Sequence, residues 1–197
     1  MGMLARLVRQ TFTRRQARPL LILDQAYPSP LSAYRYAEFT HYLETLPDAV
    51  VLTTLPPFEK HHAALSATNP DIAPRVRRFD PNAPLPEAGL VYTVFLNTAI
   101  DFLPHIERRQ LPLAMTLYRG GDFGFDDARS DVMLERLFNY PHLRKVIATQ
   151  PATVAYLKSR GYDRPDLVTL MYGAVIPKVY FAPPLPRQRF GAGKPTL

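Results

Sequence analysis

The sequence predicts an α/β fold with a parallel sheet, on three observations. Seven short runs rich in β-forming residues occur at 19–23, 49–55, 76–79, 90–96, 111–118, 146–148 and 167–172. Several are apolar without alternation, as expected of strands covered on both faces. Stretches with apolar residues three and four apart separate most of them, and parallel neighbours need such helical crossovers. The expected architecture is a single Rossmann-like three-layer sandwich with a mostly parallel sheet of about six or seven strands.

Size and composition agree with one substantial domain. The chain has 197 residues and is 47% apolar. It has no Cys, which excludes a disulfide framework and a thiolate metal site. No apolar run approaches the roughly 20 residues of a spanning helix. The net charge of +7 is unevenly spread. Residues 1–18 hold five Arg and no acid, and residues 178–197 hold Lys178, Arg187, Arg189 and Lys194 with no acid. That leaves 15 basic and 17 acidic residues in 19–177, so the folded part is near neutral. A nucleic-acid footprint across the domain face is therefore not expected. The leader 1–18 reads as a frayed basic terminus, or as a short amphipathic helix docking peripherally on a membrane. The expected location is cytoplasmic, with the inner membrane face as the alternative site of that contact.

The elements follow in order. Residues 19–23 form the first buried strand, and 24–30 a loop at its carboxyl end. Ser29 or Ser32 is the candidate cap of a helix whose spacing is set by Tyr36, Phe39, Leu43 and Leu46, ending before Pro47. Residues 49–55 are a second strand closed by Pro56-Pro57, and 58–67 a helix. His61 and His62 are adjacent on it, diverge by about 100°, and cannot share a metal from one face. Residues 76–79, with Arg75, Arg77 and Arg78, read as an edge strand whose charges oppose unwanted pairing. After a Pro-rich connection, 90–96 is a central strand with Asn97-Thr98 as its loop. Residues 101–109 are a short helix, with Pro104 expected in its first turn. Asp101 and His105 lie four apart on it, spaced for an ion pair or a capping role.

Residues 111–118 are the next strand. The loop Arg119-Gly120-Gly121-Asp122-Phe123-Gly124-Phe125 follows at the ligand-facing end of a parallel sheet. Glycine lets backbone N–H groups approach a phosphate or a sugar hydroxyl, Arg119 offers a bidentate donor, and Asp122 an acceptor. The competing reading is a turn whose glycines only meet φ demands. Asp126, Asp127 and Asp131 precede a helix carrying Met133, Leu134, Leu137 and Phe138. They read as acids favoured by the macrodipole, with Ser130 as N-cap.

Residues 144–177 give strand, helix and strand in one unit. Pro151 suits the first helical position, and Gly161 is the left-handed stop. Here VIATQPATVAYLKSRGY…LVTLMYGAVIP resembles the last βαβ unit of the N-terminal domain of GT-B glycosyltransferases, especially the retaining family four. Thr149, Tyr156, Leu157, Gly161, Gly173 and Val175 match. Tyr172 stands where that family has Asn, and Ile176 where it has Asp.

The resemblance covers residues 19–177. It implies the acceptor-side lobe of an enzyme that moves a sugar from a nucleotide-sugar donor to an acceptor. In such enzymes a C-terminal domain binds the donor and carries the active-site Glu residues. The chain is therefore expected to be an incomplete fragment, inactive alone, with 178–197 as a Pro/Gly-rich linker. No catalytic residue, metal site or cofactor is assigned. The cleft is expected to be lined by Tyr27, Ser29, Asn97, Arg119, Gly120, Gly121, Asp122 and Thr149. The family's Gly-rich first turn is absent, since no Gly occurs between Met3 and Gly89, and so is its His in the loop after residue 118. The alternative is a stand-alone flavodoxin-like module that binds a phosphorylated ligand or a protein partner.

Overall fold

The computed structural model describes residues 19–32, 34–162 and 164–171. The leader 1–18, the linker 178–197, and Tyr172, Gly173, Val175 and Ile176 of the βαβ pattern lie outside the described residues. Seven strands form one sheet: β1 (Leu20–Asp24), β2 (Val50–Thr53), β3 (Val76–Arg78), β4 (Leu90–Val94), β5 (Leu113–Leu117), β6 (Leu143–Ala148) and β7 (Val168–Leu170). Among the described residues five α-helices connect them: α1 (Tyr34–Thr45), α2 (Phe58–Thr68), α3 (Leu96–Arg108), α4 (Ala128–Phe138) and α5 (Pro151–Ser159). Every strand pair is parallel, in the order β3-β2-β1-β4-β5-β6-β7. This is a Rossmann-like three-layer sandwich.

Strand periodicity sorts the core into two layers. Leu21, Leu23, Val91, Leu113, Met115, Leu117 and Val146 pack on one face with α3, α4 and α5. Leu20, Ile22, Val51, Val76, Tyr92, Val94, Ala114 and Ile147 pack on the other with α1 and α2. Burying each large aliphatic contributes roughly 1.5–3 kcal/mol, so the double layer is the main source of stability. Between β3 and β4 the chain runs as a Pro-rich loop, not a helix. It leaves a cavity of about 290 Å³ at the sheet edge, lined by Leu52, Arg77, Phe79, Leu85 and Pro86 among others.

Several local expectations are corrected. Helix α3 starts at Leu96, five residues before the expected start, so Asn97 stands in its first turn. Phe95, at φ 73°, turns the chain from β4 directly into it. Pro104 is interior to α3 but exposed, where water can meet the carbonyl left unpaired. The α4 cap is Asp127, whose carboxylate accepts from the N–H of Arg129 and of Ser130, both at 3.3 Å. Ser130 is buried, and its Oγ accepts from Gly124 N at 3.3 Å. Helix α1 starts at Tyr34, and Ser29 and Ser32 tie the preceding 3-10 turn through Ser32 Oγ to Ser29 O at 2.7 Å. Asp101 and His105 do not pair: Asp101 accepts from Gln25 Nε2 at 2.6 Å, and His105 packs edge-on against Phe79. Arg75 donates to the carbonyls of Leu43, Leu46, Pro47 and Ala49, closing the end of α1. In α5 the buried residues are Thr153, Tyr156 and Leu157. Strand β7 is a half-exposed edge.

The local readings of α5, β3 and His62 hold. Pro151 opens α5, Gly161 has φ +84°, and β3 is an edge strand whose Arg78 pairs with Glu59 at 3.6 Å. His62 bonds the Ala73 carbonyl at 2.9 Å, a satisfied histidine. Among the described residues no helix is long and apolar enough to cross a membrane, and no group of three potential ligands is placed to hold a metal.

Replacing Asp127 by Ala removes two acceptor contacts from the start of α4. Chemical denaturation is expected to show a loss of about 1 kcal/mol, largely restored by Asp127→Asn.

Candidate functional site

In a doubly wound sheet, ligands sit beyond the carboxyl ends of the strands, where the winding direction reverses. Here that point lies between β1 and β4. Because all strands are parallel, the loops after β1, β4, β5 and β6 share this rim. Asp24 ends β1 and is fully buried. Its Oδ1 accepts from Ala26 N at 2.8 Å and Tyr27 N at 2.7 Å, and its Oδ2 from Arg35 Nη1 at 3.0 Å. Three donors offset the desolvation of a buried carboxylate that would otherwise cost several kcal/mol. The Arg35 guanidinium then lies 5.0 Å from the Phe95 ring centroid.

The glycine loop after β5 does a definite structural task. The Gly121 carbonyl accepts from Asn97 N at 3.0 Å, and Asn97 Oδ1 accepts from Thr98 N at 2.9 Å. The loop thereby closes the first turn of α3, whose N–H groups would otherwise be open to an anion. Gly121 has φ +56°, and a Cβ there would stand 2.5 Å from Phe95 Cβ and 2.8 Å from Asn97 Oδ1. Only glycine allows this approach. Gly120 and Phe123 form a small antiparallel bridge, and Phe123 is buried. Asp122 is exposed and pairs with Arg129 at 3.0 Å, while Arg119 lies 4.9 Å over the Phe125 ring. Phe125 stacks on Tyr156, whose hydroxyl donates to Asp131 at 2.6 Å and accepts from Asp126 N at 2.9 Å. Arg160 bonds both acids, at 3.1 Å to Asp126 and 3.0 Å to Asp131.

Below the rim, α1 buries Glu38 against β4. Its Oε1 accepts from Tyr92 at 2.7 Å and Tyr42 at 2.9 Å, and the Tyr92 hydroxyl also meets Thr116 Oγ1 at 2.6 Å. Burial pushes the Glu38 carboxyl above its ordinary value of 4.5, with the two phenols acting in the opposite direction. Burial likewise raises Tyr34, Tyr42 and Tyr92, and pushes Tyr118 up to about 12.

The rim brings together Asn97, Gly120, Gly121 and the Arg119 backbone. It does not present the side chains of Tyr27 or Ser29. Tyr27 is fully buried, its hydroxyl 3.2 Å from Thr40, and Ser29 is 6% exposed. Thr149 is half-buried, and its hydroxyl is buried without a partner. Reading by sequence missed Gln25, Tyr34, Arg35, Glu38, Phe95 and Tyr118. Glu38 carried a signal, an acid beside Phe39 on the apolar stripe of α1. Arg35 carried none, because only the fold sets it against Asp24. No protein-family model, curated protein or solved structure matches this chain.

Gly121→Ala is expected to cost about 2 kcal/mol or more, read as a lower denaturation midpoint with unchanged slope. Glu38 sets a pH dependence of the opposite sign to the usual carboxylate. The folded state holds its proton more tightly than the unfolded state, so stability is highest below about 4.5. It falls as pH rises toward the folded-state value. Urea titrations of wild type and Glu38→Gln across this window should show the slope only in wild type.

Proposed function

We propose that this domain is the acceptor-side lobe of a GT-B glycosyltransferase, moving sugar from a nucleotide-sugar donor bound on a second α/β lobe. The observation that carries the reading is the common rim of the β1, β4, β5 and β6 loops at the switch point, next to the βαβ pattern at 144–171. The closed first turn of α3 supports the acceptor side over the donor side. A lobe that cradles a diphosphate needs free N–H groups there, and Gly121 and Asn97 occupy two of them. The strand order does not favour the flavodoxin-like alternative, which would place β3 beside β1. In this reading Gln25, Asn97 and Arg119 orient acceptor hydroxyls. Positioning is the lobe's contribution to rate, and no residue of it acts on the transferring sugar.

Neutral oligosaccharides screened by amide NMR against the chain should shift signals of Gln25, Asn97 and Arg119 to Gly121. Arg119→Ala should weaken that binding about tenfold, the size of one charge-assisted hydrogen bond. Saturable shifts confined to other parts of the sheet, or no oligosaccharide binding at all, would remove the assignment.

A further inference from the structure

Among the described residues, three polar atoms on the α1 side of the rim are buried without a partner: Tyr34 Oη, Arg35 Nε and Thr149 Oγ1. Buried polar groups in folded proteins nearly always have a partner, and leaving one unmet costs about 1–3 kcal/mol. These three belong to one neighbourhood. Tyr34 packs against the rings of Phe95 (6.2 Å) and Tyr118 (4.6 Å), and Arg35 lies over the same Phe95 ring. The register pairs Leu117 with Ala148, so Tyr118 and Thr149 leave the sheet side by side.

The chemistry of the group is specific. Arg35 spends Nη1 on Asp24, which fixes the plane and direction of its guanidinium. Among the described residues Nε is buried without a partner, and with Nη2 it forms the edge that matches two oxygens of a carboxylate or phosphate. The Arg35 side chain as a whole is 15% exposed. Burial holds Tyr34 protonated, and its hydroxyl is a donor. Tyr34, Phe95 and Tyr118 are each half-buried, giving flat apolar walls beside the cation. The nearby carboxylates are already engaged, Asp24 by three donors and Glu38 by two phenols.

We infer that this part of the rim binds a small ligand through an oxyanion, with two oxygens on Arg35 Nε and Nη2, a hydrogen bond from Tyr34, and the ligand body against Phe95 and Tyr118. The shared chemistry is two oxygens carrying one negative charge, whether carboxylate or phosphoryl. This holds whether or not the domain belongs to a sugar-transfer enzyme, and neutral oligosaccharides do not test it.

The experiment follows the arginine Nε–Hε signals of the ¹⁵N-labelled chain during titration with inorganic phosphate, a hexose 1-phosphate, a hexuronate and, as control, the neutral hexose. One Nε–Hε signal, absent from Arg35→Lys, should move downfield and saturate with the charged ligands only. Stronger binding of the hexose 1-phosphate or of the hexuronate distinguishes phosphoryl from carboxylate. Tyr34→Phe should weaken binding about tenfold and Arg35→Lys at least tenfold. Should Arg35→Lys fail to fold, Tyr34→Phe and the wild-type Arg35 signal carry the test. Absence of a saturable shift, equal response to the neutral hexose, or unchanged affinity in Tyr34→Phe would each overturn the site.

Discussion

Asp24 ends β1, an inner strand of the sheet, with a charge that water does not reach. Two backbone N–H groups from the following turn and the Arg35 guanidinium answer that charge. The requirement shapes the rim. It curls the loop after β1 inward, so that Tyr27 and Ser29 face the core. It draws the first turn of α1 over the ends of β1 and β4, bringing Tyr34 and Arg35 against Phe95. Removing one partner of such a buried pair costs roughly 3–5 kcal/mol, comparable to burying one or two large aliphatic side chains.

The second constraint is the turn from β4 into α3. A left-handed Phe95 saves a connecting loop, but it leaves the first N–H groups of α3 needing acceptors. Gly121 supplies one through its carbonyl, from a distance that no side chain at that position would permit. A glycine-rich loop beyond a parallel strand is commonly a cradle for phosphate. Here its carbonyl closes a helix start, and the loop's charged residues are engaged with neighbours, Asp122 with Arg129 and Arg119 with Phe125. The rim's buried polar atoms without a partner among the described residues lie instead on the α1 side.

Much of the framework was legible in the residues. The apolar runs at 19–23 and 111–118 announced buried strands, and β1 and β5 are fully buried. Pro151 and Gly161 marked the ends of α5 through φ alone. The misreadings share a cause. Asn97-Thr98 has loop composition and Pro104 argues against a helix interior, yet α3 runs through both. Tertiary packing of Leu96, Ala99, Phe102, Leu103 and Ile106 outweighs a propensity penalty of about 3 kcal/mol. Asp127 took the cap expected of Ser130, because both residues can cap and only the path of the preceding loop decides between them.

The layers are encoded locally: which runs become strands, that they lie parallel, and that their loops gather at one end. These follow from the spacing of apolar residues, a property read along the chain. Tertiary structure alone decided which polar groups on that rim are spent and which are left over. A hydrogen bond between residues 24 and 35, or 97 and 121, depends on positions fixed by the packing of distant elements, and no local pattern encodes it.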